Sequence, residues 1–198
     1  MKGIVLAGGF GRRLEPLTRV TNKHLLPVYD RPMVYYPVEQ LVGAGIEEIM
    51  IVTGGNHAGE FLRLLGNGAA FGLKHLDYAY QEHAGGIAQA LALAEHFTAG
   101  GPVAVILGDN IFERSIGPSV ERFRKMPTGA RVALATVDNP SAYGVAAMQD
   151  GKLVRIVEKP SDPPSRLAVT GFYLYDRRVF DFIRQLQPSQ RSELEITT

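Results

Sequence analysis

Residues 6–27 read LAGGFGRRLEPLTRVTNKHLLP and follow directly on the apolar residues Gly3, Ile4 and Val5. A buried strand therefore empties into a loop where Gly8, Gly9 and Gly11 carry no side chains to hold a ligand at a distance. Backbone N–H groups in such a loop can face an anion. Arg12 and Arg13 follow at once and Lys23 comes ten residues after Arg13, giving the loop three cations. A polyphosphate fits that arrangement.

Two familiar glycine loops are excluded on residues. A P-loop requires Gly-Lys-[Ser/Thr] after four intervening residues, and no Gly-Lys follows these glycines. A dinucleotide fingerprint requires G-x-G-x-x-G and an acidic residue about 20 positions on. Here Gly9-Phe10-Gly11 is followed by Leu14 where the third glycine belongs, and the next strand ends in Thr53.

Outward from the loop, strand-like runs at 3–7, 49–53, 73–80, 103–107 and 130–137 alternate with helix-like stretches at 33–44, 58–65, 86–95 and 116–125. Such alternation implies right-handed βαβ crossovers and a mostly parallel sheet with helices on both faces. After Val137 the pattern changes. Strands at 144–148 and 153–158 are joined across Gln149-Asp150-Gly151-Lys152, where Asp-Gly signals a hairpin. A strand at 168–175 then precedes a helix at 177–186. The expected fold class is α/β, a three-layer Rossmann-like arrangement with a mostly parallel mixed sheet flanked by helices.

Composition narrows the classes further. With 198 residues, 45% of them hydrophobic, the chain is long enough for one domain with a full core. A formal net charge of +1 from 21 basic and 20 acidic residues gives no broad footprint for nucleic acid. The absence of cysteine removes disulfides, thiolate chemistry and cysteine metal sites, and is compatible with a reducing cytoplasm. No signal-peptide pattern is present and no apolar run approaches the roughly 20 residues of a membrane span, so neither export nor a membrane partner is expected. The five histidines, His24, His57, His75, His83 and His96, lack metal spacing and are read as surface or structural residues.

The stretch 6–27 resembles the pattern G-G-x-G-[TS]-R-L-x-P-x-T-x-x-x-x-K-x-L-[LV]-P of the sugar-nucleotidyltransferases. The likeness continues through Pro32-Met33-Val34-Tyr35-Tyr36-Pro37, Leu107-Gly108-Asp109-Asn110, Glu158-Lys159-Pro160, Val169-Thr170-Gly171 and Arg191-Ser192-Glu193-Leu194-Glu195-Ile196-Thr197. With Val52-Thr53-Gly54-Gly55 and Gly85-Gly86-Ile87-Ala88-Gln89-Ala90, it is closest to the short form of the family's thymidylyl branch. The resemblance implies a Mg²⁺-dependent transfer of a nucleotidyl group from dTTP to α-D-glucose 1-phosphate, giving dTDP-glucose and pyrophosphate. It also implies a cytoplasmic homo-oligomer and a single domain over 1–198, with a nucleotide half at about 1–137 and a sugar half at about 138–198.

In that chemistry both reactants are anions and the nucleophile is already ionised. No general base is needed; the protein must bring like charges together and stabilise charge on the leaving group. By resemblance the catalytic set is Arg13, Lys23, Asp109 and Lys159. Leu6, Gly8, Gly9, Gly11, Arg13, Gln81 and Gly86 belong to the nucleotide. Gln81 offers an amide donor and acceptor to a pyrimidine edge, and Gly86 lets the helix start approach the base. Tyr143, Gly144, Glu158, Lys159, Val169 and Arg191 belong to the sugar phosphate. Taken alone, Glu158-Lys159 would be a solvated surface pair, and Asp109 could simply cap the turn into the next helix. Matched to the family's L-G-D-N, Asp109 is expected as a Mg²⁺ ligand, the remaining positions of the metal being filled by phosphate oxygens and water.

Two departures stand out. Arg12 occupies the position that is Thr or Ser in the family pattern; it either points to solvent or tightens the grip on pyrophosphate. Chains of the family also continue past E-L-E-I-T and carry a second metal-ligand aspartate there, so the C-terminal part of the domain is expected to be missing from these 198 residues. Two other readings stay open: a UTP- or CTP-dependent hexose-1-phosphate nucleotidyltransferase, and a non-catalytic nucleotide-sugar-binding domain.

Overall fold

The computed structural model describes residues 1–9, 11–189 and 193–196. Ten strands occur among them: β1 (Lys2–Ala7), β2 (Pro27–Val28), β3 (Arg31–Pro32), β4 (Glu48–Gly54), β5 (His75–Gln81), β6 (Val103–Leu107), β7 (Ala130–Thr136), β8 (Gly144–Gln149), β9 (Lys152–Glu158) and β10 (Leu167–Tyr175). The helices are α1 (Tyr35–Gly43), α2 (Ala58–Leu65), α3 (Ile87–Ala92), α4 (Glu95–Thr98), α5 (Gly117–Lys125) and α6 (Val179–Ile183). Strands β2 and β3 form a small separate hairpin, and the others make one eight-stranded sheet in the order β5-β4-β1-β6-β10-β8-β9, with β7 on β10.

The four strands β5, β4, β1 and β6 are parallel, and β10 joins β6 antiparallel. The sheet is thus mixed, as the change of pattern after Val137 foretold. Strands β1, β4 and β6 are apolar on both faces because each face is covered, whereas the edge strand β5 exposes His75, Asp77 and Tyr80. Along β1, Val5 and Ala7 enter a core shared with α1, α2 and α5, where Val38, Phe61 and Phe123 are fully buried. Ile4 and Leu6 turn the opposite way, towards Ala88 and Leu91 of α3 and Phe180 of α6. Each fully buried large side chain contributes about 1.5–3 kcal/mol. Two cores on opposite faces of one sheet make the expected three-layer α/β architecture.

Element ends follow local chemistry. Helix α1 stops where Gly45 takes φ +71° and the Ile46 N–H bonds back to the Leu41 carbonyl. The hairpin turn between β8 and β9 has Asp150 at φ +50° and Gly151 at φ +72°, the paired left-handed geometry of a two-residue turn. Three expectations need correcting. The helix expected over 86–95 breaks after Ala92, where a tighter bond from Ala94 N–H to the Leu91 carbonyl interrupts it before α4. The strand expected from Leu73 starts at His75, because the Leu73 N–H is held by the Gly68 carbonyl. The helix expected over 177–186 regularises only over α6, behind an Asp176 carboxylate that accepts from the Arg178 and Gly129 N–H groups.

The placement of the site depends on a changeover along β10. Tyr173 and Tyr175 pair with β6 on one side and β7 on the other, whereas Ala168 pairs with β8 and β7. One edge of β10 thus passes from β6 to β8 near Gly171. No helix among the described residues is long and apolar enough to cross a membrane.

Candidate active site

An open cleft of about 410 Å³ lies at the carboxyl ends of β1, β5 and β6, reached from the far side by the end of β9. Open α/β sheets collect ligands at this edge. Leu6, Gly8, Gly9, Arg13, Lys23, Gln81, Gly86, Asp109, Glu158 and Lys159 all line it, so residues spread over 154 positions of chain meet in one place.

The glycine loop is shaped by what crosses it. A Cβ on Gly8 would stand 2.7 Å from Gln81 Oε1, and one on Gly9 would stand 3.2 Å from the Lys23 stem. Gly11, at φ +66°, packs so closely on Lys23 that a Cβ there would lie 2.7 Å from the Lys23 Cβ. Its carbonyl accepts from Leu14 N–H and from Thr18 Oγ1. Gly11 therefore folds the loop without lining the cleft. Arg12 and Arg13 are both exposed, but of the two only Arg13 lines the cleft. Phe10 lies outside the described residues.

On the cleft floor, Asn22 Oδ1 accepts from the His24 backbone N–H at 3.0 Å and from His24 Nδ1 at 2.7 Å. His24 is buried, as its structural reading required, and it also lines the cleft. Burial, and after it the charge of Lys23, pushes its imidazole down to about 3, so it is neutral. Its ring fills the space beside Gly108, where a Cβ would lie 2.8 Å from His24 Cδ2. Asp109 follows, its Oδ2 2.5 Å from Lys23 Nζ. Burial pushes the Asp109 carboxyl up, but the hydrogen bond and charge of Lys23 outweigh it and hold the group below the ordinary carboxylate range. Asp109 is thus an anion at the cleft wall with a cation already upon it.

The sugar side is built by strand ends. Gly144 faces Glu158 across β8 and β9, and a Cβ on Gly144 would lie 2.9 Å from Glu158 Oε2 and 3.7 Å from Val169 Cγ2. The Lys159 N–H donates to the Tyr143 carbonyl at 2.9 Å, and Lys159 itself sits at φ +43°. A non-glycine residue in this region stores backbone strain, a feature that clusters at functional sites. Of this group Glu158 and Lys159 line the cleft; Tyr143, Gly144 and Val169 stand beside them rather than in the wall. Arg191 lies outside the described residues.

Several participants were not foreseen. Asn110 donates from Nδ2 to Asp109 Oδ1 at 3.1 Å and accepts the Gly171 N–H on Oδ1 at 2.9 Å. That N–H lies at the changeover from β6 to β8, so Asn110 closes the gap and ties Asp109 to the sugar-side strand. Glu193 and Glu195 also line the cleft, carried by a segment whose Leu194 N–H donates to the Gly85 carbonyl at 2.8 Å. The motif E-L-E-I-T held both glutamates, and their alternation about the packed Leu194 was the available signal. Gly86 needs a changed explanation. It lines the cleft, but its missing side chain admits the Leu194 carbonyl, which would lie 2.5 Å from a Cβ there, and its φ is +97°. Gln81 also differs from expectation. Its Nε2 donates to Gln89 Oε1 at 2.7 Å and to the Gly86 carbonyl at 3.3 Å, so only its acceptor remains for a ligand.

Cations gathered from distant parts of the chain into one cleft, one of them paired to Asp109, over a glycine loop at the carboxyl edge of a parallel sheet, define a nucleotide-binding α/β protein suited to phosphate transfer. The family model described as Nucleotidyl transferase matches residues 2–198, and the chain belongs to that family. It is 49% identical over its whole length to a glucose-1-phosphate thymidylyltransferase of Actinoplanes sp., of which it spans 65%. It is likewise 48% identical to the enzyme of that name from Mycolicibacterium smegmatis, spanning 68% of it. Among solved structures, a putative glucose-1-phosphate thymidylyltransferase from Bacillus anthracis in complex with a sucrose superposes with a TM-score of 0.94 at 53% identity, covering 100% of this chain and 80% of that one. A UDP-glucose pyrophosphorylase complexed with UDP-glucose gives 0.82 at 26% identity, covering 99% and 83%. Both superpositions carry the same Rossmann-like three-layer fold.

Proposed function

We propose that the protein transfers a thymidylyl group from dTTP to α-D-glucose 1-phosphate, forming dTDP-glucose and pyrophosphate. The observation that carries this reading is the meeting of Arg13, Lys23 and Lys159 in one cleft, with Asp109 paired to Lys23. The relatives named for this reaction support the choice of substrates. An oxygen of the sugar phosphate attacks the α-phosphorus in line. The new P–O bond forms as the bond to the β-phosphate oxygen breaks, and pyrophosphate departs with that electron pair. No proton needs to move.

The residues divide the work by charge. Arg13 and the loop amides take the triphosphate and stabilise charge growing on the leaving group. Lys159 takes the sugar phosphate, helped by Arg191; Glu158 faces the hexose, backed by Gly144, Tyr143 and Val169 beside the wall. Holding both anions in attack geometry supplies much of the rate. The Asp109 carboxylate suits Mg²⁺: it is ionised, it faces the cleft, and it already holds a cationic group, Lys23. Mg²⁺ commonly uses only one or two protein carboxylates, and when bound it would add positive charge to the phosphates.

On this reading the chain is one nucleotidyltransferase domain, with its nucleotide half at about 1–137 and its sugar half at about 138–198. It works in the cytoplasm as a homo-oligomer, without nucleic acid. Arg12 is read as a solvent-facing replacement that leaves phosphate binding to the loop amides. A screen of triphosphates against sugar 1-phosphates, read by pyrophosphate release, tests the proposal. Highest activity with dTTP and glucose 1-phosphate supports it; binding of nucleotide without release under all pairings would instead assign a non-catalytic binding domain.

A further inference from the structure

The amide of Gln81 is oriented by neighbours that leave it one choice. Gly85 N–H can only donate, and it points at Gln89 Oε1 at 3.1 Å, which fixes that atom as an acceptor. The group of Gln81 facing the same oxygen at 2.7 Å must then be its NH₂. The Gly86 carbonyl can only accept, and it too receives the Gln81 NH₂, at 3.3 Å. An amide NH₂ has two protons. Both are used inside the protein, and Gln81, only 8% exposed, has no room to spend them elsewhere.

What remains is Gln81 Oε1. It stands 2.7 Å from the place a Gly8 side chain would occupy, so the glycine at position 8 keeps this oxygen uncovered. Gly8, Gln81 and Gly86 line the cleft together. The nucleotide side therefore offers a base a lone acceptor whose partner must be an N–H.

We infer that Gln89 is a positioning residue for base selection. By taking one N–H of Gln81 while the Gly86 carbonyl takes the other, it fixes the amide with its oxygen outward and makes the cleft accept pyrimidines with a protonated ring nitrogen, thymine and uracil, and reject cytosine. Thymine and uracil donate N3–H to the oxygen. Cytosine in the same seat turns an N3 lone pair against it, and its exocyclic amine reaches the oxygen only if the ring shifts, carrying the triphosphate away from Arg13 and Lys23. A buried acceptor left facing a lone pair is costly. The inference rests on the proposed reading of this cleft as the dTTP site, and it separates the UTP reading from the CTP one.

The test compares kcat/KM for dTTP, UTP and CTP at fixed glucose 1-phosphate, with calorimetric binding of the same triphosphates, for the unaltered chain, Gln89→Met and Gln89→Glu. The unaltered protein should favour dTTP and UTP over CTP by about 10² or more. Gln89→Met leaves Gln81 free to turn, and should reduce that ratio at least about tenfold, mainly through a higher KM for dTTP. Gln89→Glu keeps an acceptor for that N–H of Gln81 and should retain the ratio. Should Gln89→Met not fold, Gly8→Ala covers the same oxygen from the loop and should lower the same ratio. Equal losses for all three triphosphates with the ratio intact would overturn the role of Gln89. A binding preference that depends on Gln89 without any turnover would uphold it while refuting the proposed activity.

Discussion

Lys23 Nζ lies 2.5 Å from Asp109 Oδ2 across 86 residues of chain, and this pair is the pivot of the nucleotide side. Each partner makes the other affordable: the ammonium keeps the carboxyl ionised in a partly buried wall, and the carboxylate holds the lysine over the glycine loop. Removing one charge leaves the other uncompensated. Asp109→Asn should therefore lower turnover by about 10² or more at low Mg²⁺, with partial recovery as Mg²⁺ is raised. Its side chain is 36% exposed, so the fold should survive. Circular dichroism beside a Mg²⁺ titration of rate reads both; full activity without added metal would make Asp109 a mere turn residue.

The two adjacent arginines should separate cleanly. Both are exposed, but Arg13 lines the cleft and Arg12 does not. Arg13→Ala should cost about 10² in turnover, the scale of one lost electrostatic donor, while Arg12→Ala should change it by no more than about threefold, since an exposed charge clear of the phosphates contributes little. Steady-state pyrophosphate release decides, and equal losses at both positions would contradict the assignment of the loop.

Gly171 leaves no room for a side chain. A Cβ there would lie 2.6 Å from Asn110 Nδ2 and 2.6 Å from Leu107 Cγ. Gly171→Ala should destabilise the fold by about 1–3 kcal/mol through overpacking, and by pushing Asn110 it should also disturb Asp109. Urea unfolding measures the first effect. An unchanged midpoint would show that the changeover on β10 yields freely.

His24 gives a pH dependence with a defined sign. Its folded-state pKa is depressed from 6.5 to about 3, so between those values the unfolded chain binds a proton that the folded chain refuses. The stability linked to this group is complete above pH 6.5 and is lost as pH falls through that window, at about 1.4 kcal/mol per pH unit. Metal-free urea unfolding at pH 7.5 and 5.5 should show about 1 kcal/mol more loss in the unaltered protein than in His24→Gln. Parallel losses would mean that the imidazole is not held neutral.

The sequence was most legible where a single run of residues decides the matter. The apolar strands at β1 and β6, the Asp-Gly hairpin and the glycine loop each carry their reason locally, and the cations around the cleft could be named from their motifs. What escaped depends on contacts between distant segments. Gln81 reads as a two-way amide until Gln89 and the Gly86 carbonyl take its protons. Gly86 reads as making space for a base until Leu194 is seen against it. Asn110 gives no sign in sequence that it closes a gap at Gly171, because that gap exists only where β6 ends beside β8. The division of one predicted helix into α3 and α4 turns on a single tighter backbone bond, below what side-chain periodicity can register.

The central claim is that this cleft joins two phosphates at an α-phosphorus with loss of pyrophosphate. Mass detection of the sugar nucleotide formed from dTTP and glucose 1-phosphate with Mg²⁺, alongside pyrophosphate released in the same reaction, tests it most directly. The account predicts dTDP-glucose and pyrophosphate in equal amounts, both abolished together when Mg²⁺ is withheld. Pyrophosphate without a sugar nucleotide, or neither product from protein that demonstrably binds dTTP, would contradict it.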